Sequence, residues 1–162
     1  MILNRRHLAL IATLAVGMLA GCATTPAPTS VADTVARTAQ LSTLSKLIGE
    51  AGLAETLRGP GPFTLFAPSD EAFKAVPAKA LAELLADKAA LRSVLSFHVL
   101  PGKLSSAEVK NGNLKSVQGA NLALSKAGTF VTVEEAVVVQ ADLPATNGVI
   151  HVIDKVLMPP KR

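Results

Sequence analysis

Aromatic residues are scarce in this sequence. Its 162 residues include no Trp, no Tyr and five Phe. A core with so few aromatic side chains is built mainly from Leu, Val, Ile and Ala, and a chain of this length can still bury about 70% of its unfolded surface in one domain. Tyr and Trp dominate the hot spots of protein interfaces, and aromatic rings form the platforms on which single-stranded nucleic acids stack. The composition therefore disfavours a nucleic-acid-binding surface and a strongly adhesive one.

A strong charge of one sign is also lacking. The net charge is +4, from 16 Lys and Arg against 12 Asp and Glu. Two of the basic residues, Arg5 and Arg6, lie in an N-terminal segment that we expect to be removed, and the others are scattered without a run of like charge. Scattered charges are typical of a solvated surface rather than of a nucleic-acid contact. We expect no nucleic-acid partner.

Residues that bind metals are few. The chain contains one Cys and three His, and His7 lies in the segment expected to be removed. A single Cys cannot form an intramolecular disulfide. His98 and His151 are not part of a His-x-His or Cys-pair motif, and the acidic residues do not follow the spacing of a calcium loop. The sequence predicts neither a metal site nor a cofactor.

The N-terminal segment has the features of an export signal. Arg5 and Arg6 precede an apolar run over residues 8–20. As a helix this run rises only about 20 Å, whereas the hydrocarbon core of a bilayer is about 30 Å thick. It is too short to span a membrane comfortably and predicts a secretory signal.

The end of this signal resembles the lipobox of bacterial lipoproteins, since it reads Leu-Ala-Gly-Cys over residues 19–22. The resemblance implies cleavage after Gly21, diacylglycerol on the Cys22 thiol and acylation of the new N-terminus with a fatty acid such as palmitate. Two or three acyl chains anchor a protein stably, whereas one does so only marginally. We therefore expect residues 1–21 to be a lipoprotein signal peptide and the mature protein to be held on a membrane through Cys22 without spanning it.

A short spacer follows the expected lipidation site. Residues 22–30 are small and polar and include Pro26 and Pro28, a composition that has little to bury and stays extended. We expect this segment to tether a domain over residues 31–160 to the bacterial envelope. Ala23, rather than Asp, after the cysteine favours retention in the outer membrane, facing the periplasm or the cell surface.

The rest of the chain changes from helical to strand-like patterns. Apolar residues recur at helical spacing over residues 41–51, 79–86 and 89–98, and a further short helix is expected after Leu104. Strand-length apolar segments separated by turns fill most of residues 114–158. Helices that come mainly first and strands that come mainly last predict an α+β fold with a largely antiparallel sheet.

The segment TLFAPSDEAF, residues 64–73, places three oxygen-bearing side chains after an apolar strand, namely Ser69, Asp70 and Glu71. We predict that Ser69 is the N-cap of a helix over residues 70–76, a contribution of about 0.5–2 kcal/mol. The two acids then lie where the helix dipole favours negative charge, and Phe73 faces the core. The alternative, a nucleophilic serine with a histidine base, calls for an exposed serine such as that of a Gly-x-Ser-x-Gly motif, which the sequence lacks. We expect a helix start and no enzymatic activity.

Further polar residues lie within apolar patterns near the middle and the end of the chain. His98 falls on the apolar stripe of its helix, so we expect a buried, neutral imidazole, because burial disfavours the charged form. His151 lies in an alternating strand and is expected in the core or in strand pairing. Asn147 and Gly148 form a hairpin-type turn pair, and Asp154 is expected to end a strand.

Three segments resemble the signature regions of the fasciclin domain family: TLFAPSDEAF, SFHVLPGKL and NGVIHVIDKVL. The resemblance covers residues 31–159 and implies a wedge of twisted strands with helices packed against it. It also implies that the first two segments meet, so that Asp70 or a backbone group in the first turn after it is the expected partner of His98. The functional alternative is that Phe97, where many members carry Tyr, and His98 belong to an adhesive contact.

Two functions are consistent with this resemblance. The family is known for extracellular adhesion and surface association, without a general enzymatic activity. The first expectation is therefore a lipid-anchored, non-enzymatic interaction or adhesion module of the bacterial envelope, with a surface protein or polysaccharide as partner. The second is a carrier of an apolar ligand, such as a carotenoid or another lipid, because some members bind such ligands and the small residues of this chain could line a groove.

Overall fold

The computed structural model describes residues 29–160. The helices are α1 (Val31–Arg37), α2 (Ser42–Glu50), α3 (Ala54–Arg58), α4 (Asp70–Ala75), α5 (Ala78–Ala86) and α6 (Lys88–Phe97), with a 3-10 turn at Ala39–Leu41. The strands are β1 (Phe63–Pro68), β2 (Val99–Pro101), β3 (Gly112–Lys115), β4 (Asn121–Ala127), β5 (Phe130–Val133), β6 (Ala136–Ala145) and β7 (Gly148–Ile153). Helices come mainly first and strands mainly last, so the predicted α+β class is confirmed.

The strands of the described chain form one sheet in the order β2-β1-β7-β6-β5-β4-β3. β1 and β7 are parallel, and every other neighbouring pair is antiparallel. Just after β3, the Val117 amide donates to the Val99 carbonyl of β2 (2.8 Å). This bond joins the two edges of the sheet, which therefore curls into a nearly closed barrel.

The central strands β1 and β7 are buried on both faces. β7 is buried along its whole length, and β1 is buried after its first residue. Strands that are covered on both faces have nearly continuous apolar sequences rather than an alternation of apolar and polar residues. This explains why the first and last signature segments are apolar over most of their strand residues.

The two faces of the central strands belong to two separate cores. On one face, Leu65 and Ile150 pack with buried Leu, Ile and Val residues of α1, α2, α3 and α6, and we call this the helix core. On the other face, inside the curled sheet, lies the barrel core: Phe66, Phe97, Leu100, Val109, Leu122, Leu124, Val131, Val133, Ala136, Ile153 and Leu157. Successive residues of a strand point to opposite faces, so Leu65 and Phe66 enter different cores.

The segment after Leu104 forms a turn at residues 106–108, so the helix predicted there is wrong. Two of the backbone groups of Ser106 are bonded to side chains from other parts of the chain. The Ser106 amide donates to Asp142 Oδ1 (2.8 Å), and Lys126 Nζ donates to the Ser106 carbonyl (2.8 Å). The local backbone bonds are limited to those that the Glu108 and Val109 amides donate to the Ser105 carbonyl, so the segment forms a single turn that the long-range partners hold in place.

The last signature segment also differs in detail from its prediction. Thr146 and Asn147 form the turn between β6 and β7, and Gly148 is the first residue of β7 rather than part of the turn. β7 ends at Ile153, so residues 154–160 continue as an irregular segment outside the sheet.

Candidate functional site

Ser69 links the end of β1 to the start of α4. Its hydroxyl oxygen accepts a hydrogen bond from the Ala72 amide (3.2 Å), which makes it the N-cap of α4. Its own amide donates to the Ile153 carbonyl at the end of β7 (3.0 Å). The residue is buried, so the hydroxyl serves the helix start rather than an open cleft.

Asp70 forms hydrogen bonds to a second helix, α2. Its carboxylate accepts from the Thr43 amide and from the Ser42 hydroxyl, both at 2.8 Å, in the first turn of α2. Burial raises the pKa of Asp70, but the hydrogen bonds from Thr43 and Ser42 outweigh it and hold the pKa below its usual value. Asp70 therefore joins α4 to α2.

The other two residues of this segment have separate roles. Glu71 forms an ion pair with Lys74 (2.6 Å) on the surface, where both side chains are largely exposed. Phe73 is buried in the helix core.

His98 follows the last residue of α6 and is 1% exposed. Its Nε2 atom accepts from the Leu157 amide (3.0 Å), so the proton lies on Nδ1, which donates to the Val94 carbonyl (2.8 Å). Burial lowers the pKa of His98 to about 4, although the bond to Val94 acts in the opposite direction. The imidazole is thus neutral at pH 7 and holds the irregular C-terminal segment.

Two expectations about His98 do not hold. Its partners are Val94 and Leu157, whereas Asp70 is bonded to α2. Phe97 and His98 are each 1% exposed, and Phe97 packs in the barrel core. These two side chains therefore do not form an adhesive contact on the surface. The bond between His98 and Leu157 joins residues far apart in sequence, which no local pattern indicates.

His151 holds the opposite tautomer. Its Nδ1 atom accepts from the Asp142 amide (3.2 Å), so Nε2 carries the proton and donates to the Leu104 carbonyl (2.8 Å). The ring also stacks on Phe66, with 5.5 Å between the ring centroids. His151 therefore connects β7 to the irregular segment after β2.

Two residues that the sequence analysis did not single out complete this connection. Thr64, buried in β1, donates to the Gly102 carbonyl (2.7 Å) and accepts from the Leu104 amide (2.9 Å). Asp142 has a left-handed backbone (φ 58°) and accepts from the amide and the hydroxyl of Ser106. Burial raises the pKa of Asp142, but the bonds from Ser106 hold it below its usual value. The left-handed backbone is the one local feature that marks Asp142 as unusual, and it appears in the structure but not in the sequence.

Asn147 joins three parts of the chain. Its Oδ1 atom accepts from the Val31 amide at the start of α1 (2.8 Å). Its Nδ2 atom donates to the carbonyls of Leu57 and Gly59 at the end of α3, both at 2.8 Å. Its side chain thus serves tertiary structure as well as the turn.

Gly148 and Asp154 mark the two ends of β7. A Cβ atom at Gly148 would collide with the Phe63 carbonyl oxygen of β1, so the parallel pairing requires glycine there. Asp154 Oδ1 accepts from the Val137 amide (2.7 Å), and the Asp154 amide donates to the Val137 carbonyl (3.1 Å). Asp154 therefore extends the contact between β7 and β6.

Neither of the two imidazoles among residues 29–160 is free to act as the base of a nucleophilic serine. Both nitrogen atoms of His98 and of His151 are engaged by backbone groups, whereas acyl transfer needs an imidazole within reach of the hydroxyl. In the same part of the chain, no group of three or more His, Cys, Asp or Glu side chains could hold a metal ion. The polar signature residues hold the fold together.

Three of the open depressions on the described part of the chain adjoin at Met158. One, of about 640 Å³, lies between α5, α6 and the end of the described chain and is lined by seven apolar residues, among them Leu84 and Val94, and by four polar ones. Another, of about 310 Å³, lies between the end of α4 and Val156. A third, of about 280 Å³, borders the turn at Glu134. They are the candidate contact region of the domain.

The expected lipid anchor lies outside the described residues. This applies to Cys22, to the predicted cleavage after Gly21 and to most of the predicted tether. Within residues 29–160, none of the helices is long and apolar enough to cross a bilayer.

A comparison with protein families decides the classification. The model of the Fasciclin domain matches residues 39–159. The chain belongs to the fasciclin domain family. The resemblance of the three signature segments is thereby confirmed, and the match includes the buried histidines and both central strands of this fasciclin domain.

Relatives of this fasciclin domain occur in bacteria and in animals. Protein sll1483 of Synechocystis is 40% identical over 140 residues, which are 85% of this chain and 78% of the relative. The cell surface glycolipoprotein MPB83 of Mycobacterium bovis is 34% identical over 89% of this chain and 65% of the relative. The transforming growth factor-beta-induced protein ig-h3 of Sus scrofa is 40% identical, but the matched part is only 20% of that protein. The similarity to larger relatives thus concerns one domain.

A solved structure supports the fold. A FAS1 domain pair from the insect cell adhesion molecule Fasciclin I has a TM-score of 0.62 and 24% sequence identity, covering 75% of this chain and 46% of that one. The predicted fasciclin-like arrangement of twisted strands with packed helices is confirmed.

Proposed function

We propose that this fasciclin domain is a non-enzymatic interaction module that a lipid on Cys22 holds at the bacterial envelope, in the outer membrane. The observation that carries the non-enzymatic part is the engagement of Ser69, His98 and His151 in bonds to backbone groups. Because these side chains are bonded to backbone groups, they are not available for chemistry. We therefore place the function on the surface of the domain. The likeness to a cell surface glycolipoprotein over 89% of this chain supports the location.

Mass spectrometry of the full chain expressed in a Gram-negative host tests the anchor. The expected product begins at Cys22 and carries diacylglycerol and an N-terminal fatty acid. It stays with outer-membrane fractions after a high-salt wash, whereas a Cys22→Ser variant is not acylated. A secreted chain that begins at another residue and has no added lipid mass would contradict the proposal.

A second candidate, the carrier of an apolar ligand, is favoured by the largest of the three depressions. Its volume of about 640 Å³ lies within the range of about 300–1,000 Å³ typical of small-molecule sites. Native mass spectrometry of the chain purified from a lipid-rich host tests this candidate. A bound lipid that Leu84→Lys displaces would support it, and a ligand-free mass would contradict it.

A further inference from the structure

One aromatic side chain of this aromatic-poor domain is left in solvent. Phe130 is 68% exposed, the highest value among the large apolar side chains of the described residues. It is the first residue of β5 and follows a two-residue turn in which Gly128 has a left-handed backbone (φ 62°). Because Val131 and Val133 face the barrel core, the alternation along the strand directs Phe130 to the outer face of the sheet.

The surroundings of Phe130 on this hairpin are apolar and uncharged. Ala127, the last residue of β4, lies opposite Phe130, and Ser125 lies opposite Thr132. Continuing the register of β5 with β6 places Val139 beside Phe130. Val139 is 59% exposed, the second-highest value of the described apolar side chains. Exposed apolar side chains that adjoin one another, rather than lie scattered, mark an interaction site.

Two lysines border this apolar surface. Continuing the register of β3 with β4 places Lys110 beside Lys126, and the Asn111 side chain, whose Oδ1 atom accepts from the Lys126 amide (2.7 Å), holds the two strands together there. Within residues 29–160 neither lysine forms an ion pair, and Lys126 Nζ donates to two backbone carbonyls. Asp142 is near Lys126, but its carboxylate accepts from a serine. We define the hairpin patch as Lys110, Lys126, Ala127, Phe130 and Val139.

The hairpin patch lies within reach of the membrane that would hold the lipid anchor. The described chain begins beside the turn between β6 and β7, where the Thr146 amide donates to the Thr29 carbonyl (2.9 Å). The strand from Val139 to Thr146 spans at most about 24 Å. Cys22 precedes Thr29 by seven residues, which span at most about 25 Å when fully extended. One bilayer can therefore hold the lipid on Cys22 and touch the hairpin patch.

We propose that the hairpin patch docks on the anionic surface of the same bilayer that carries the anchor, with the Phe130 ring in the interfacial layer and the two lysines beside the lipid phosphates. This inference rests on the lipid anchor proposed above. Apolar side chains flanked by lysines are typical of protein surfaces that lie in a membrane interface, and lysines close to an anionic leaflet are attracted to it. The anchor keeps the patch at a high effective concentration near the bilayer, so that even a weak contact is formed.

Docking fixes which side of the domain faces water. In the nearly closed sheet, β4 and β5 lie across the barrel from β1 and β7, the strands that carry the helix core. A domain that rests on the hairpin between β4 and β5 therefore turns the helix core away from the bilayer. The helices are then the surface that soluble partners can reach.

The first experiment uses the absence of Trp from the chain. The acylated chain with Phe130→Trp is placed in vesicles of phosphatidylethanolamine and phosphatidylglycerol. Its emission should shift to shorter wavelength, and lipids brominated in the upper part of their acyl chains should quench it. Leu85→Trp is the matched control, since Leu85 is 40% exposed on α5, a helix of the helix core, and its emission should neither shift nor be quenched. Emission of Phe130→Trp that stays unshifted and unquenched would overturn the inference.

A charge reversal tests the lysines of the patch. Lys110→Glu, combined with Phe130→Trp, should remove most of the quenching in the anionic vesicles. Lys46→Glu changes the net charge equally on the exposed side of α2 and should leave the quenching unchanged. Replacing phosphatidylglycerol by phosphatidylcholine, which has no net charge, should abolish the difference between the two variants. Equal quenching of both in the anionic vesicles would refute the electrostatic part of the docking.

Protein density distinguishes docking on lipid from a contact between copies. Docking on the bilayer does not depend on how many copies a vesicle carries, whereas burial of residue 130 against a neighbouring copy increases with their number. The shift and the quenching should therefore be the same at low and high density. A shift that appears only at high density, without quenching by brominated lipid, would overturn the inference.

The two proposals can fail separately. An acylated chain whose residue 130 stays in water refutes the docking and leaves the anchor in place. A chain that is not acylated in the cell refutes the anchor. Its single Cys can then be coupled to a maleimide lipid, which attaches the chain at Cys22. Quenching of Phe130→Trp in this coupled chain would retain the hairpin patch as a membrane-binding surface, and its absence would refute it.

Discussion

On one face of the central strands the chain packs as regular helices, and on the other face two irregular segments close the barrel. The helix core consists of aliphatic side chains and Phe73, and its helices satisfy their own backbone groups. On the barrel side, residues 102–111 and 154–160 lie outside the strands and form few of the backbone hydrogen bonds that pair neighbouring strands. Buried backbone groups need partners, and here side chains provide them.

The difference explains where the buried polar side chains lie. Thr64 and His151 hold the segment after β2, and His98 holds the C-terminal segment. On the helix side, polar side chains act at helix ends, as Ser69, Asp70 and Asn147 do. The signature residues of this domain therefore bind backbone groups at places where the chain leaves regular structure.

The largest effect on stability is expected when the same apolar side chain is shortened in each of the two cores. Ile150 and Ile153 lie on β7, are 0% exposed and face the helix core and the barrel core, respectively. Ile150→Ala and Ile153→Ala should each lower the free energy of unfolding by about 2–5 kcal/mol, measured by urea denaturation. If either change lowers it by less than 1 kcal/mol, that core is not closely packed.

The next effect is a pH dependence of stability that comes from His98, which holds the C-terminal segment. Burial lowers the pKa of His98 from 6.5 to about 4, so between these values the unfolded chain binds more protons than the folded one. Stability should therefore fall as the pH decreases from 6.5 to 4, by about 2–3 kcal/mol between pH 7 and pH 4.5. Urea denaturation at a series of pH values measures this loss.

His98→Phe is the control for the pH dependence. It leaves the Leu157 amide without its acceptor, so it should lower stability at pH 7 by about 1–3 kcal/mol. It should also remove most of the decrease between pH 6.5 and 4, because the aspartates with lowered pKa lose their contribution only at more acidic pH. An unchanged pH dependence in this variant would contradict the assignment to His98.

A smaller effect is expected for the cap of α4. Ser69→Ala should lower the free energy of unfolding by about 0.5–2 kcal/mol, because the Ala72 amide loses its acceptor. Thermal denaturation measures the change, and Ser69→Asp, which can also cap, should retain most of the stability. Any ligand binding should be unaffected by either change.

The smallest effect is expected for the surface ion pair of the same helix. Glu71 and Lys74 are both largely exposed, and exposed pairs contribute about 0–1 kcal/mol. Glu71→Gln should therefore change the stability by less than 0.5 kcal/mol in the same thermal assay. A larger loss would mean that Glu71 has a structural partner beyond Lys74.

Local patterns in the sequence predict the parts of this fold that depend on neighbouring residues. The order of helical and strand-like segments predicts the α+β class, and Pro68, Ser69 and Asp70 predict the start of α4 because capping involves residues three positions apart. The pairing of β1 with β7 and the bond between His98 and Leu157 join residues about 60 to 85 positions apart. Periodicity carries no information on such contacts.

The candidate site was predicted less completely for the same reason. The sequence predicts a buried, neutral His98, but its partner depends on the path of an irregular C-terminal segment. Asp142 lies in a strand without a motif, and Thr64 lies at the start of the first signature segment, but the role of each follows from the loop that it holds. Phe97 was a candidate for adhesion only through the resemblance, and packing in the barrel core excludes this role.

The central claim is that polar signature residues hold irregular segments of backbone through hydrogen bonds. The tautomers of the two histidines test this claim most directly. A two-bond ¹H–¹⁵N correlation spectrum of the imidazole rings at pH 7 reports which nitrogen carries the proton. The structure predicts a proton on Nδ1 of His98, whose Nε2 accepts from Leu157, and on Nε2 of His151, whose Nδ1 accepts from Asp142. Rings that exchange between both tautomers, as free imidazoles in water do, would contradict the account.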